Sequence, residues 1–199
     1  RYRAIWIDGV PDSSDLSLKG IGFHSCAHRY ILRLVDQSLA ADEEEAKAAF
    51  REGIAHALTP ANLVPEVREI FFGWAEHFEL DHQAIVAAEE HQMGKNRQTF
   101  TPDVVYGRPD CLEIVDFKTF WHPLTEPQVR DDFQARFYIF NAMRIWPNFP
   151  NYRFTQSYVR FGKSTSVDFK PEDFGSFTDE VEAVAASIEE AGKRNEWPA

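Results

Sequence analysis

Apolar residues recur at helical spacing through residues 24–80. Cys26, Tyr30 and Leu34 share one face at the start of this stretch, and Thr59-Pro60 interrupts it because a residue before proline disfavours the helical conformation. Three helices are predicted, over residues 24–39, 42–58 and 65–80. Residues 1–20 are predicted to form a strand or extended arm followed by a turn-rich stretch.

The pattern then changes to that of strands. Three strands are predicted over residues 84–89, 98–106 and 112–119, and the turn sequence Gly107-Arg108-Pro109-Asp110 separates the last two. The remaining predicted elements are a long helix, two strands and an amphipathic helix, over residues 126–145, 152–161, 165–169 and 177–194. This order predicts an α/β fold, a single mixed β-sheet with flanking helices.

Composition and charge narrow the class of protein. The 199 residues are 44% hydrophobic and 27% charged, which is typical of a globular protein and unlike a disordered chain. The net charge of −11 argues against coating nucleic acid through bulk charge, although a local basic cleft is compatible with it. No apolar run reaches the roughly 20 residues of a membrane span, the start does not resemble a signal peptide, and two cysteines cannot form a disulfide framework. A reducing, cytoplasmic setting is therefore expected.

Three charged side chains are expected to meet on one pair of strands. Asp116 and Lys118 alternate with apolar neighbours, so both point to the same face of a strand with a buried composition. A hairpin turning at residues 107–110 brings Asp103 of the preceding strand beside Asp116. Charged groups on a buried strand cost free energy unless they bind something.

Converging carboxylates are oxygen ligands for a hard divalent cation such as Mg²⁺. Such a cation polarises a phosphoryl oxygen and activates a bound water, which a neighbouring lysine can orient or deprotonate during phosphodiester hydrolysis. Two alternatives compete with this interpretation. Asp116 and Lys118 could form a structural ion pair, and Asp110 competes with Asp103 for the role of first carboxylate. On one extended segment Asp110 would lie about 20 Å from Asp116, at roughly 3.3 Å per residue, so Asp110 is assigned to the turn.

The segment around these residues resembles the core of the PD-(D/E)xK nuclease superfamily, specifically its RecB-like branch of AddB-type and CRISPR-adaptation nucleases. Three other segments resemble motifs of that branch in the expected order: Gly53-Ile-Ala-His56, Ile85-Val-Ala-Ala-Glu89 and Gln134-Ala-Arg-Phe-Tyr138. The resemblance implies a restriction-endonuclease-like core in a single nuclease-like domain over residues 1–199. Its parts would be a helical part (1–82), the catalytic sheet and helix (83–170) and a C-terminal helix (171–199).

The resemblance also implies a set of metal ligands for Mg²⁺ or Mn²⁺. These are His56, Asp103, Asp116, Glu89 and the backbone carbonyl of Phe117. Taken singly, His56 could instead be a packed helix histidine and Glu89 a solvated strand end.

Lys118 would position or activate the attacking water. Gln134 and Tyr138, at i and i+4, share one helix face and would support the site or contact DNA, unless they are simply helix surface and core. Candidate contacts to DNA phosphates or bases are Arg97, Arg108, Arg130, Arg136, Lys163, Trp121 and His122.

Two features depart from the family's pattern. Phe100 stands where the family usually has glycine, three residues before the first metal-binding aspartate. The segment around Cys26 resembles the one that carries the first cysteine of an iron–sulfur cluster in some members, but Cys111 is the only other cysteine, so no complete cluster can form within this chain. The remaining histidines are assigned to surface or structural roles, with His24 and His28 alone standing out as a candidate metal pair.

The function expected is that of a metal-dependent DNA nuclease, with exonuclease action favoured, in DNA repair or recombination. Its substrate would be single- or double-stranded DNA. The alternatives are a catalytically silent nuclease-fold module that binds DNA or protein within a larger assembly, and an unrelated metal phosphoesterase or restriction-type endonuclease on the same core. A homo-oligomer or a larger protein partner is compatible with these interpretations.

Overall fold

Three helices precede the sheet in the computed structural model, which describes residues 14–37, 43–88, 92–93, 99–120 and 122–194. They are α1 (Asp15–Gln37), α2 (Glu43–Ala57) and α3 (Val64–Ala75). Three further helices are α4 (Glu126–Asp131), α5 (Phe133–Ile145) and α6 (Phe177–Arg194). A short 3₁₀ helix, Pro171–Phe174, lies before α6.

The described strands are β1 (Ile85–Ala88), β2 (Gln92–Met93), β3 (Thr99–Phe100), β4 (Val104–Arg108), β5 (Cys111–Lys118), β6 (Tyr152–Tyr158) and β7 (Lys163–Phe169). Five of them form one sheet in the order β1-β4-β5-β6-β7, and β2 pairs with β3 separately. Only the β5–β6 pair of the five-stranded sheet is parallel, and α4 and α5 form the connection between these two strands. The predicted fold class, a single mixed sheet with flanking helices, is confirmed.

The side chains of β5 alternate between two apolar clusters, and helices cover both faces of the strand. Phe117 packs with Phe23 and Trp74 in the cluster beneath α1–α3. Ile114 packs with Ile139 of α5 in the cluster on the opposite face. Asp116 and Lys118 therefore lie on the face that α5 covers.

Helix α1 begins earlier than the sequence pattern indicates. Residues 15–20 are helical rather than extended, so that part of the prediction for residues 1–20 is wrong. Ser14 provides the physical reason, since its Oγ accepts a hydrogen bond from the Ser17 amide at 3.3 Å at the helix start. The rest of the predicted arm lies outside the described residues, as does Asp42, the first residue of the second predicted helix.

Two elements predicted to be continuous are each divided. The predicted strand over 98–106 is interrupted at residues 101–103, where Pro102 has no amide hydrogen to donate to a ladder. The predicted helix over 126–145 breaks at Asp132, which is extended (φ −65°, ψ 126°) and caps α5 by accepting from the Ala135 amide at 2.9 Å. The last helix, predicted over 177–194, is confirmed.

Helices α1 and α2 touch where Gly53 meets Cys26. A Cβ added at Gly53 would lie 2.5 Å from the Cys26 Cα, so only glycine allows this approach. The exposed Gly73 on α3 has no atom within 4 Å of an added Cβ.

We expect Gly53→Ala to lower the free energy of unfolding by about 1–3 kcal/mol, because the two backbones must separate. Gly73→Ala is the matched control and is expected to raise it by up to about 1 kcal/mol, the difference in helix propensity. Urea unfolding followed by circular dichroism measures both. A Gly53→Ala protein that unfolds at the wild-type urea concentration would contradict the close contact.

Candidate active site

The β4–β5 hairpin brings two carboxylates together. Val104 pairs with Val115, and the next positions beyond this pair are Asp103 and Asp116. The Phe117 amide donates a hydrogen bond to Asp103 Oδ2 at 2.5 Å. Both aspartates are only 6% exposed. The structure thus brings together the two acids that the sequence predicts to converge.

Asp116, Lys118 and Gln134 form a closed ring of contacts. Lys118 Nζ lies 2.6 Å from Asp116 Oδ2 and donates a hydrogen bond to Gln134 Oε1 at 2.8 Å. Gln134 Nε2 donates to Asp116 Oδ1 at 3.0 Å. The ring joins the end of β5 to the first turn of α5, so the predicted residue Gln134 lies directly at the acid–lysine pair.

Burial controls the charge of Asp116. It raises the pKa of this carboxyl to about 6, and the Asp103 carboxylate acts in the same direction, whereas the Lys118 ammonium opposes both. The partner of the buried Asp116 Oδ2 is the Lys118 ammonium at 2.6 Å. A divalent cation at this oxygen would share it with the ammonium.

His24 contacts Asp103, a partner that the sequence does not predict for it. Its Nδ1 lies 3.0 Å from Asp103 Oδ1, and its side chain is 36% exposed. The sequence sets His24 apart only as one of a candidate metal pair with His28. Its position beside the buried Phe23 on α1 was the available signal.

His56 is placed differently from the other predicted ligands. It is exposed near the end of α2, and no described hydrogen bond or ion pair joins it to either aspartate. Glu89 lies outside the described residues, as do Arg97 and Trp121. The ligand roles of His56, Glu89 and the Phe117 carbonyl stay predictions.

Tyr138 supports the segment that carries Asp103. Its hydroxyl donates a hydrogen bond to the Thr101 carbonyl at 3.2 Å, and burial raises its pKa to about 12. The Phe100 ring packs on the Tyr138 ring with centroids 5.1 Å apart. Phe100, which replaces the glycine usual in the family, therefore fills space against the predicted Gln-x-x-x-Tyr motif.

Cys26 belongs to the helical core. It is fully buried at the contact with Gly53, and its Sγ lies 3.7 Å from the Phe50 carbonyl oxygen. Burial raises the pKa of the thiol to about 12. The enclosed Cys26 thiol therefore packs as a small apolar side chain between α1 and α2.

A partly buried ionic contact joins two helices and two loop segments next to the site. Glu66 on α3 binds Lys19 of α1 at 2.5 Å and Arg160 after β6 at 2.7 Å. Arg160 Nε also donates to the Thr119 carbonyl, one residue after Lys118, at 2.7 Å. Lys19 and Arg160 hold the pKa of Glu66 below its usual value.

The donor set is compatible with a hard divalent cation, although it is incomplete on its own. Two buried carboxylates lie side by side, and the Lys118 ammonium is the partner of one of their oxygens. No group of three histidine, cysteine or acidic side chains suited to a metal occurs in the described part of the chain. Mg²⁺ accepts such a site because it keeps several waters and needs only one or two protein carboxylates.

The mixed sheet brings two buried acids and a lysine together at the adjoining ends of β4 and β5. The sequence model of the PD-(D/E)XK nuclease superfamily matches residues 1–198, and the chain belongs to this superfamily. Membership suggests a nuclease, a hydrolase acting on phosphodiester bonds. No curated protein and no solved structure matches the chain significantly. None of the described helices is long and apolar enough to cross a membrane.

We expect Asp116→Asn to unfold at a higher temperature than the wild type at pH 7.5 without divalent cations. The folded protein binds the Asp116 proton more tightly than the unfolded chain does, so ionisation of this carboxyl destabilises the fold above a pH of about 6. The stability difference should be on the order of 1–3 kcal/mol at pH 7.5. It should shrink as the pH falls through about 6 towards the ordinary value of 3.8.

Thermal unfolding between pH 4 and 8 in EDTA measures this difference. Asp110→Asn, in the exposed β4–β5 turn, is the control and should leave stability within about 0.5 kcal/mol of wild type. An Asp116→Asn protein less stable than wild type at pH 7.5 would show that the Lys118 contact outweighs burial.

Proposed function

We propose that the chain is a metal-dependent DNA nuclease of the RecB-like branch, acting as an exonuclease in a cytoplasmic setting. One observation carries the proposal: two buried carboxylates and a lysine meet at the end of β5. Because the chain belongs to a nuclease superfamily, we assign these groups to phosphodiester hydrolysis. Motif order supports the branch, since the Gln134–Tyr138 pair follows the acid–lysine strand and Gln134 contacts that strand.

Asp103, Asp116 and the Phe117 carbonyl would hold Mg²⁺ or Mn²⁺. When bound, the ion would polarise the scissile phosphate and acidify a water molecule. The Phe117 amide fixes one oxygen of Asp103, and Gln134 fixes one oxygen of Asp116, so both carboxylates present their remaining oxygens in defined directions.

Lys118 would hold the attacking water and stabilise charge that develops on the phosphate. Its ammonium already touches Asp116 Oδ2 and Gln134 Oε1, and it is partly accessible, so it can turn one of its three donors to a water. Gln134 keeps the ammonium next to the carboxylate while this happens.

The first test is cleavage of linear single-stranded, linear duplex and closed circular DNA. We expect loss of linear DNA with Mg²⁺ or Mn²⁺, none in EDTA, and circular DNA left intact. Asp116→Ala and Lys118→Ala should each lower the rate at least about 100-fold, as expected for groups that act on the reacting atoms. Arg153→Ala, which breaks an exposed pair with Asp168 on β7, is the control and should cleave normally.

Two outcomes would change the proposal. Cutting of circular DNA would make the protein an endonuclease. Failure of folded protein to cleave any substrate with any metal would favour a catalytically silent module that binds DNA or protein.

A second prediction concerns the imidazole at the metal site. We propose that His24, which contacts Asp103, contributes to metal binding and that the exposed His56 contributes less. Removing a ligand or its hydrogen-bonding partner costs about 10–100-fold in metal affinity. His24→Ala should therefore weaken Mn²⁺ binding by about this factor, while His56→Ala should change it less than about twofold.

Isothermal titration of the two variants with Mn²⁺, in the absence of DNA, measures these affinities directly. The reverse result, with His56→Ala the weaker binder, would return the role to the residue that the family resemblance implies.

A further inference from the structure

The connection from β5 to α4 starts one residue after Lys118 and is tied to the sheet at both ends. Arg160 donates to the Thr119 carbonyl at the first end. At the second end, the Leu124 amide donates to the Tyr158 hydroxyl at 2.8 Å and the Leu124 carbonyl accepts from Thr165 Oγ1 at 2.8 Å. Both polar groups of the Leu124 backbone are thus held by side chains of β6 and β7.

Tyr158 occupies a central place among these contacts. It is 0% exposed and is the β6 neighbour of Lys118, just as Gln156 is the β6 neighbour of Asp116. Its hydroxyl accepts from Leu124 and donates to Gln156 Oε1 at 2.7 Å. Neighbouring residues of a parallel pair point to the same face, so this buried hydroxyl lies on the face of the acid–lysine pair.

Leu124 leads directly into the helices that carry Gln134. The next residue, Thr125, caps α4 together with Gln128. Helix α4 ends at Asp131, and Asp132 caps α5, in which Gln134 is the second residue. A fixed Leu124 backbone therefore fixes the start of the path that brings the Gln134 amide to Asp116 and Lys118.

We propose that Tyr158 is a positioning residue for the contact of Gln134 with Asp116 and Lys118, acting through the Leu124 backbone. The described hydrogen bonds of the Tyr158 hydroxyl go to Leu124 and Gln156 and not to Gln134, Asp116 or Lys118, so its role differs from theirs. The expected effect on the cleavage rate rests on the nuclease function proposed above, whereas the expected effect on the position of Gln134 does not.

The variant that tests the proposal is Tyr158→Phe, which removes the hydroxyl and keeps the ring. Tyr152→Phe is a matched control on the same strand and the same face. Tyr152 is 2% exposed and donates its hydroxyl hydrogen to the Trp146 carbonyl at 2.7 Å, at the far end of α5 from Gln134. The two variants each remove the hydroxyl of a buried tyrosine, and the partners of these hydroxyls are at opposite ends of the α4–α5 connection.

The first readout is independent of catalysis. In a proton–nitrogen correlation spectrum, the Gln134 side-chain amide is identified by its absence in Gln134→Ala. We expect its two signals to shift or broaden in Tyr158→Phe and to stay in place in Tyr152→Phe. Signals unchanged in Tyr158→Phe would overturn the proposal, whether or not the protein cleaves DNA.

The second readout is a double-mutant cycle on the cleavage rate. Tyr158→Phe should lower kcat about tenfold with little change in KM, since a small misplacement of a positioned group is costly. In a Gln134→Ala background Tyr158→Phe should change kcat by less than about twofold, because the contact that Tyr158 positions is already lost. Tyr152→Phe should leave kcat unchanged in both backgrounds.

The two readouts separate failure of this inference from failure of the proposed function. A wild-type protein that does not cleave DNA would overturn the nuclease, and the amide signals would still decide the role of Tyr158. A tenfold loss in kcat that is fully additive with Gln134→Ala would show that Tyr158 acts on another group and would overturn the positioning role.

Discussion

The hydrogen bond from the Phe117 amide to the Asp103 carboxylate ends the β4–β5 ladder and begins the site. Up to Val104 and Val115 the two strands pair in regular register, and beyond them a side-chain oxygen takes the place of a backbone carbonyl. Asp103 can do this because the chain leaves the strand conformation at Pro102 and Asp103. The break in the strand and the position of the carboxylate are therefore one structural feature, which Tyr138 supports by binding the Thr101 carbonyl.

The same contact holds one of two buried carboxylates close to the other. Burial and the Asp103 carboxylate raise the pKa of Asp116, whereas Lys118 and His24 act in the opposite direction. The fold tolerates this arrangement through the fixed donors Phe117 N and Gln134 Nε2. A site with two buried carboxylates and oriented oxygens attracts a cation for the reason that makes it costly to fold without one.

The sequence predicts much of this arrangement and misses identifiable parts of it. Alternation along β5 places Asp116 and Lys118 correctly, because a strand buried on both faces leaves its charged residues conspicuous. The interruptions at Pro102 and Asp132 were missed, although each residue is a known breaker or cap, because apolar periodicity continues across both. The contact of His24 with Asp103 was not predicted because the two residues are far apart along the chain, and only the packing of α1 on the sheet brings them together.

Charge outside the site constrains how a polyanion could bind. The chain carries a net charge of −11, and described arginines near the sheet are paired internally: Arg108 with Glu113, Arg136 with Glu180 and Arg160 with Glu66. Moving any of them to a phosphate would take one ion-pair partner from a carboxylate and would oppose binding. Arg130 and Lys163 are exposed, and no described ion pair joins either of them to a carboxylate, so these two cations would attract DNA together with Lys118. A cation held by the two aspartates would add to this attraction at the place of the chemistry, so its removal should weaken substrate binding as well as the reaction.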